Sequence, residues 1–156
     1  MIRYDPWNIM RVANGVEVLE LPMQIFGRQS PIHPTLIWDD DTVVLVDTGF
    51  PGQLQQIHEV MGRAGVPFER LDKVIITHQD IDHIGSLPDI VRESSHKVDV
   101  LSHEEERPYI EGRMPLIKMK RHNAKRWRGS LRTHQKRKSI RRSRMRRSCL
   151  TAGESR

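Results

Sequence analysis

The sequence Thr77-His78-Gln79-Asp80-Ile81-Asp82-His83-Ile84-Gly85 follows directly on the apolar run Val74-Ile75-Ile76. It places two histidines and two aspartates within six positions. A strand that ends in several imidazole and carboxylate side chains predicts a metal site, because these groups are the ligands that transition metals and Zn²⁺ take from proteins.

The candidate ligands are His78, Asp80, Asp82 and His83. Their mixture suits Zn²⁺, and the carboxylates leave Mn²⁺ or Fe²⁺ as alternatives. Four ligands in one short segment exceed what a single catalytic ion usually takes locally. We therefore expect one or two ions, and a two-ion site would activate a water molecule and polarise the scissile group. The alternative is a set of solvated loop residues, which the density of the cluster disfavours.

The flanking sequence predicts an α/β arrangement. Strands are expected over 16–21, 35–38, 42–46, 74–77 and 98–101, with a helix over 52–64 and another beginning at Ser86. Asp39-Asp40-Asp41 predicts the turn of a β-hairpin, and the unbroken apolar run 43–46 predicts a strand buried on both faces. The metal cluster would then lie past the carboxyl end of a strand, where α/β sheets place their chemistry.

The cluster resembles the metal-binding signature of the metallo-β-lactamase-fold hydrolases. Upstream, Val44-Leu45-Val46-Asp47-Thr48-Gly49 resembles the strand and turn that precede this signature. The similarity covers about residues 16–117, and the stretch 77–88 is similar to the glyoxalase II-like and lactonase-like branch. The resemblance implies a four-layer αββα sandwich built from two similar halves, of which only the first half is evident in this sequence.

The resemblance also implies roles for individual residues. His78 and Asp80 are similar to first-metal ligands, and Asp82 and His83 to second-metal ligands, with Asp82 as the catalytic group that orients the attacking water. Asp80 stands where most of the family has histidine, so a harder oxygen ligand replaces a nitrogen ligand at this position. Asp47 resembles a support residue of the site. The implied reaction is hydrolysis of a small-molecule ester, thioester or lactone.

Three further residues near the cluster carry weaker expectations. Gly49 and Gly85 are expected to serve tight backbone turns. His103 follows the strand predicted over 98–101. It either faces the site or is an exposed or capping histidine.

Charge divides the chain into two regions. Residues 1–117 contain 10 Lys+Arg and 19 Asp+Glu, whereas residues 118–156 contain 16 Lys+Arg and one acid, so the net charges are −9 and +15. The basic region lacks apolar periodicity and is predicted to be a disordered tail. Nonspecific nucleic-acid binding through this tail is the alternative function. The abrupt change near Lys118 also suggests a frame-shifted segment, which translation of the coding DNA in the other two frames would test.

The resemblance implies a second half that adds a Gly-His motif, a bridging Asp and a final His. No such motif follows Ile117. We therefore expect weakened metal binding, an apolar sheet face that promotes self-association, and, as an alternative to an enzyme, an inactive fragment. The single cysteine, Cys149, excludes an internal disulfide, and the lack of an apolar leader or membrane-length run predicts a cytoplasmic protein.

Overall fold

The computed structural model describes residues 10–25 and 27–118. The predicted disordered tail lies outside the described residues, apart from Lys118. The strands are β1 (Met10–Ala13), β2 (Val16–Val18), β3 (Gln24–Ile25), β4 (Arg28–Gln29), β5 (Thr35–Trp38), β6 (Val43–Val46), β7 (Lys73–Ile76) and β8 (Asp99–Ser102). The helices are α1 (Leu54–Arg63), α2 (Ile81–Ile84), α3 (Leu87–Glu93) and α4 (Arg107–Ile110), with a short 3₁₀ helix at Phe68–Arg70.

Six strands form one mixed sheet in the order β1-β2-β5-β6-β7-β8. β1, β2, β5 and β6 pair antiparallel, whereas β6, β7 and β8 pair parallel through connections that contain α1 and then α2 and α3. This arrangement confirms the predicted α/β class. No helix in residues 10–25 and 27–118 is long and apolar enough to cross a membrane.

The hairpin between β5 and β6 is confirmed. Trp38 pairs with Val43, and one carboxylate oxygen of Asp39 accepts hydrogen bonds from the backbone N–H groups of Asp41 and Thr42. Those two hydrogen bonds hold the pKa of Asp39 below its ordinary value, because they favour the charged carboxylate. The aspartate turn is therefore held by its own first side chain.

The hydrophobic core lies on one face of the sheet. Leu36, Leu45 and Val74 are fully buried there, in the same cluster as residues of α1 and α3 such as Met61 and Ile90. α1 ends with Gly65 at positive φ, and the N–H of Val66 bonds to the carbonyl of Met61, as in a Schellman motif. Residues of α1 and α3 thus share one core with the buried residues of the sheet.

The opposite face of the sheet has no covering layer in the described part of the chain. The prediction that β6 is buried on both faces is wrong: Val43 and Leu45 are buried, but Val44 and Val46 are only partly buried. Strand pairing places Ile37 beside Val44 and Ile75 beside Val46, and both isoleucines are exposed. The result is a half-open apolar face that runs across neighbouring strands.

The amino-terminal region contains more strands than its sequence predicts. β1 is a further strand at the edge of the sheet, and residues 22–34, over which no strand is predicted, contain the short hairpin of β3 and β4. The strand predicted over 16–21 ends at Val18, although Leu21 still bridges to Ile32. Gly27 lies in the turn of this hairpin, and the prolines at 22, 31 and 34 lie outside its strands, so these residues are compatible with strands as short as two residues.

Candidate metal centre

The predicted site residues lie in two adjacent loops at one edge of the sheet. Because β6 and β7 are parallel neighbours, the segments that follow them emerge side by side. The N–H and hydroxyl of Thr48 both donate to the carbonyl of His83, at 2.7 and 2.9 Å, and the N–H of Gly85 donates to the carbonyl of Gly49 at 2.8 Å. These bonds fix the loop after β6 against α2.

Gly85 is required for close packing rather than for a turn. Gly85 does lie in the turn between α2 and α3, but its φ of −59° is helical, so this turn does not itself require glycine. A Cβ at Gly85 would lie 2.3 Å from the carbonyl carbon of Phe50 and from the nitrogen of Pro51. Gly49, in contrast, has φ +66°, a left-handed backbone conformation that favours glycine.

Ser86 occupies the N-cap position of α3 but makes no side-chain cap to that helix. Its hydroxyl instead donates to the carbonyl of Phe50 at 2.6 Å and accepts the N–H of Gln53 at 3.1 Å. Together with the close contact at Gly85, these bonds lock the two loops into one unit.

Asp47 is the hub of this unit. It has φ +63° and is the sole non-glycine residue with positive φ in the described residues. Its carboxylate accepts the N–H of Thr77 at 2.9 Å, the hydroxyl of Thr77 at 2.8 Å and Nδ1–H of His83 at 2.9 Å. A backbone strain retained at a site with this many bonds is typical of a functional constraint.

The hydrogen bonds of Asp47 and Thr77 assign the tautomers of both histidines. An ionised carboxylate only accepts, so His83 Nδ1 carries a hydrogen. The single hydroxyl hydrogen of Thr77 goes to Asp47, so Thr77 Oγ1 accepts from His78 Nδ1 at 3.1 Å. In the neutral rings this leaves the lone pair of each Nε2 atom available for a metal ion.

The available Nε2 atoms face carboxylate oxygens in two pairs. His78 Nε2 lies 3.3 Å from Asp80 Oδ2, and His83 Nε2 lies 3.6 Å from Asp82 Oδ2. Two ligands bound at about 2.0–2.1 Å to a tetrahedral Zn²⁺ lie about 3.4 Å apart. The donor types and separations therefore fit a divalent cation at each pair, and the ring centroids of the two histidines are 3.8 Å apart.

Each pair supplies two ligands, and the described residues complete neither set. In residues 10–25 and 27–118, no group of three or more His, Cys, Asp or Glu side chains is arranged to hold one metal ion. A catalytic zinc ion usually takes three protein ligands. The four sequence-predicted ligands are thus brought together as two half-sites.

Asp80 is held more tightly than the other three. It is buried, with Oδ1 accepting Gln79 Nε2–H at 2.9 Å and Oδ2 accepting the ammonium of Lys118. Burial raises the pKa of Asp80, but the hydrogen bond and charge of Lys118, with a smaller contribution from His78, hold that pKa below its ordinary value. The same contact raises the pKa of Lys118.

An open cleft of about 350 Å³ adjoins the second pair. Its walls are formed by residues 30–34 together with Asp47, Phe50, Asp82 and His83. The Asp82 side chain is 41% exposed, whereas that of Asp80 is 8% exposed. Asp82 is therefore the carboxylate with access to water and to a bound molecule.

Several contacts of the site were not predicted from sequence. Gln79 is buried, and it also accepts the N–H of Ile117 and donates its own N–H to Glu106. The only feature of the sequence that pointed to Gln79 was its position between two candidate ligands. No feature of the sequence pointed to Lys118 as a residue of the site. His103 is 70% exposed and contacts Glu105 of its own turn, which supports the exposed alternative.

The chain belongs to the metallo-beta-lactamase superfamily, whose family model matches residues 27–139. Among curated proteins it is similar to the probable metallo-hydrolase YybB of Bacillus subtilis (strain 168), with 28% identity over 97 residues that cover 62% of this chain and 39% of the relative. The uncharacterized protein YobT of the same organism is 27% identical over 93 residues, which cover 60% and 38%. The chain thus spans about two fifths of the length of these relatives.

Solved structures show the same fold. BJP-1, a subclass B3 metallo-beta-lactamase of Bradyrhizobium japonicum, matches with a TM-score of 0.57 and 18% identity, covering 69% of this chain and 37% of that one. FIM-1 from Pseudomonas aeruginosa, solved in its mono-zinc form, matches with a TM-score of 0.54 and 18% identity, covering 67% and 45%. These matches confirm the fold predicted from the motifs.

Proposed function

We propose that this chain carries the first half of a metal-dependent hydrolase site, with His78 and Asp80 binding one divalent ion and Asp82 and His83 binding a second. The observation that carries the proposal is the pairing of each Nε2 atom with a carboxylate oxygen at 3.3 and 3.6 Å. Zn²⁺ is the first choice for the ion, with Mn²⁺ and Fe²⁺ as alternatives because Asp80 is a hard oxygen ligand.

The chain's own residues prepare the site in two ways. Asp47 and Thr77 fix both imidazoles with Nε2 free, so the ligand atoms need no change of tautomer. Asp82 is exposed beside the cleft, where its carboxylate can accept a hydrogen bond from a water molecule and orient that water. If His78, Asp80, Asp82 and His83 held divalent ions, the ions would supply Lewis-acid chemistry, lowering the pKa of a bound water and polarising a carbonyl oxygen.

The proposed substrate is a small ester, thioester or lactone. The cleft of about 350 Å³ lies within the size range of small-molecule sites, and it combines Pro, Ile and Phe side chains with Asp82 and His83. Superfamily membership and the similarity to a probable metallo-hydrolase support hydrolysis as the reaction type.

Metal content and hydrolysis of the purified full chain test the proposal. We expect one or two ions per chain after dialysis against Zn²⁺ or Mn²⁺, and hydrolysis of a chromogenic ester, thioester or lactone that chelation abolishes. Asp82→Asn is expected to lower the hydrolysis rate by roughly 10²–10⁴-fold. The matched control is Asp89→Asn, because Asp89 lies on α3 and pairs with Arg92 at 2.7 Å.

Two results would contradict the proposal. A folded chain that takes up no divalent ion would exclude the metal site. Metal uptake without hydrolysis of any of the three substrate classes would instead support an inactive fragment that retains the binding half-sites.

A further inference from the structure

The ammonium of Lys118 occupies a cation position in the candidate metal centre. Lys118 Nζ contacts Asp80 Oδ2, the same oxygen that lies 3.3 Å from His78 Nε2. A carboxylate oxygen that already accepts a hydrogen bond from an ammonium has less lone-pair density to offer a divalent ion. The ammonium and a divalent ion on the same oxygen would also repel each other. Lys118 and a metal ion are therefore alternatives at the first pair.

A fixed segment of backbone brings Lys118 to this position. Leu116 is buried, and the N–H of Ile117 donates to Gln79 Oε1 at 2.8 Å. Gln79 also donates Nε2–H to Asp80 Oδ1 at 2.9 Å, so one side chain joins the segment before Lys118 to the carboxylate that Lys118 contacts. The backbone at Ile117 is thus held by the site itself, while the Lys118 side chain is 80% exposed and can move away.

Within the described residues, no Lys or Arg side chain makes such a contact with the second pair. The ion-pair contacts of Asp82 and His83 in the described residues are with each other and with Asp47, and none involves a Lys or Arg side chain. In the described residues the two pairs therefore differ in how the Lys118 ammonium acts on them: it contacts a carboxylate oxygen of the first pair directly, whereas it acts on Asp82 of the second pair only through its charge.

We propose that Lys118 competes with the divalent ion for Asp80 and makes the His78–Asp80 pair the weaker of the two metal-binding positions. This inference rests on the proposed function, since it concerns the same metal ions. It assigns Lys118 as a residue that sets metal affinity and the order of loading, with the Asp82–His83 pair filling first.

The test is metal titration of the full chain by calorimetry with Zn²⁺ and Mn²⁺. Lys118→Met is expected to tighten the weaker binding step by up to about fivefold, the upper end of the range for an exposed ion pair. Lys118→Arg keeps the cation and should retain the wild-type affinity within about twofold. Lys97→Met is the matched control, because Lys97 pairs with Asp99 outside the site.

Repeating the Lys118→Met substitution in an Asp80→Asn chain tests whether its effect on metal affinity depends on the Lys118–Asp80 contact. In an Asp80→Asn chain, Lys118→Met should leave metal affinity unchanged, because the competing ion pair no longer exists. Equal affinities of the wild-type and Lys118→Met chains, or a shift of the same size that persists in the Asp80→Asn background, would overturn the inference while leaving the proposed function intact. Failure of every variant to bind metal would overturn both.

Discussion

Replacing Asp47 should separate the backbone strain at this residue from the hydrogen bonds that it makes. The carboxylate is 14% exposed and accepts three hydrogen bonds from Thr77 and His83. Hydrogen bonds to charged groups contribute about 1.5–3 kcal/mol each, and since these share one partly solvated carboxylate we expect a joint loss of about 3 kcal/mol. Asp47→Ala removes all three and keeps the unfavourable φ of +63°.

Asp47→Gly removes the same hydrogen bonds but relieves the strain. A non-glycine residue in the left-handed region costs about 1–2 kcal/mol, which a smaller gain in unfolded-state entropy for glycine partly offsets. The Gly variant should therefore be more stable than the Ala variant by about 1 kcal/mol. Urea unfolding of the metal-free full chain, followed by circular dichroism, measures both differences.

Asp40 provides a control at which the stability difference between the Gly and Ala variants should have the opposite sign. It is exposed in the hairpin turn and its φ is not positive. There, glycine should be less stable than alanine by about 0.4–1 kcal/mol. Equal stability of the Ala and Gly variants at position 47 would show that the positive φ carries no strain. An Asp47→Ala variant as stable as the wild type would show that the three hydrogen bonds contribute no stability.

Two further predictions concern the sheet. The pKa of Asp39 is lowered, so its turn stabilises the fold above the ordinary carboxyl pKa and loses that contribution as the pH falls through the folded-state value. Asp39→Asn should therefore flatten the acid limb of stability against pH, whereas Asp40→Asn should keep the wild-type limb; identical limbs would refute this. The self-association predicted from sequence should weaken in Ile37→Lys/Ile75→Lys, measured by sedimentation against concentration, while exposed Met114→Lys outside the sheet leaves it unchanged. An unchanged sedimentation profile of the double variant would count against an interface on this face.

The local pattern around β6 and β7 was readable because it depends on short-range chemistry. Asp39-Asp40-Asp41 predicted the hairpin turn correctly, because the Asp39 carboxylate accepts hydrogen bonds from the backbone of its own turn. The cluster 78–83 after a strand indicated the superfamily that the family model then showed. The metal-ligand roles of these residues, and the boundary predicted near Lys118, stay predictions.

Tertiary structure decided what depends on residues distant in the chain. Whether β6 is covered on one face or both depends on a second layer, which an apolar run such as 43–46 cannot report. Gly85 looked like a turn glycine, yet its role is set by the backbone of Phe50 and Pro51, which only folding brings within 2.3–2.4 Å.

The sequence by itself determined the ligand types of the candidate centre and their place after a strand. Only the fold decided that they form two pairs, that Asp47 fixes the tautomer of His83 across 36 positions, and that Lys118 reaches Asp80 across 38. The physical reason is that ligand chemistry belongs to each side chain, whereas the separation of two atoms belongs to the packing of every segment between them.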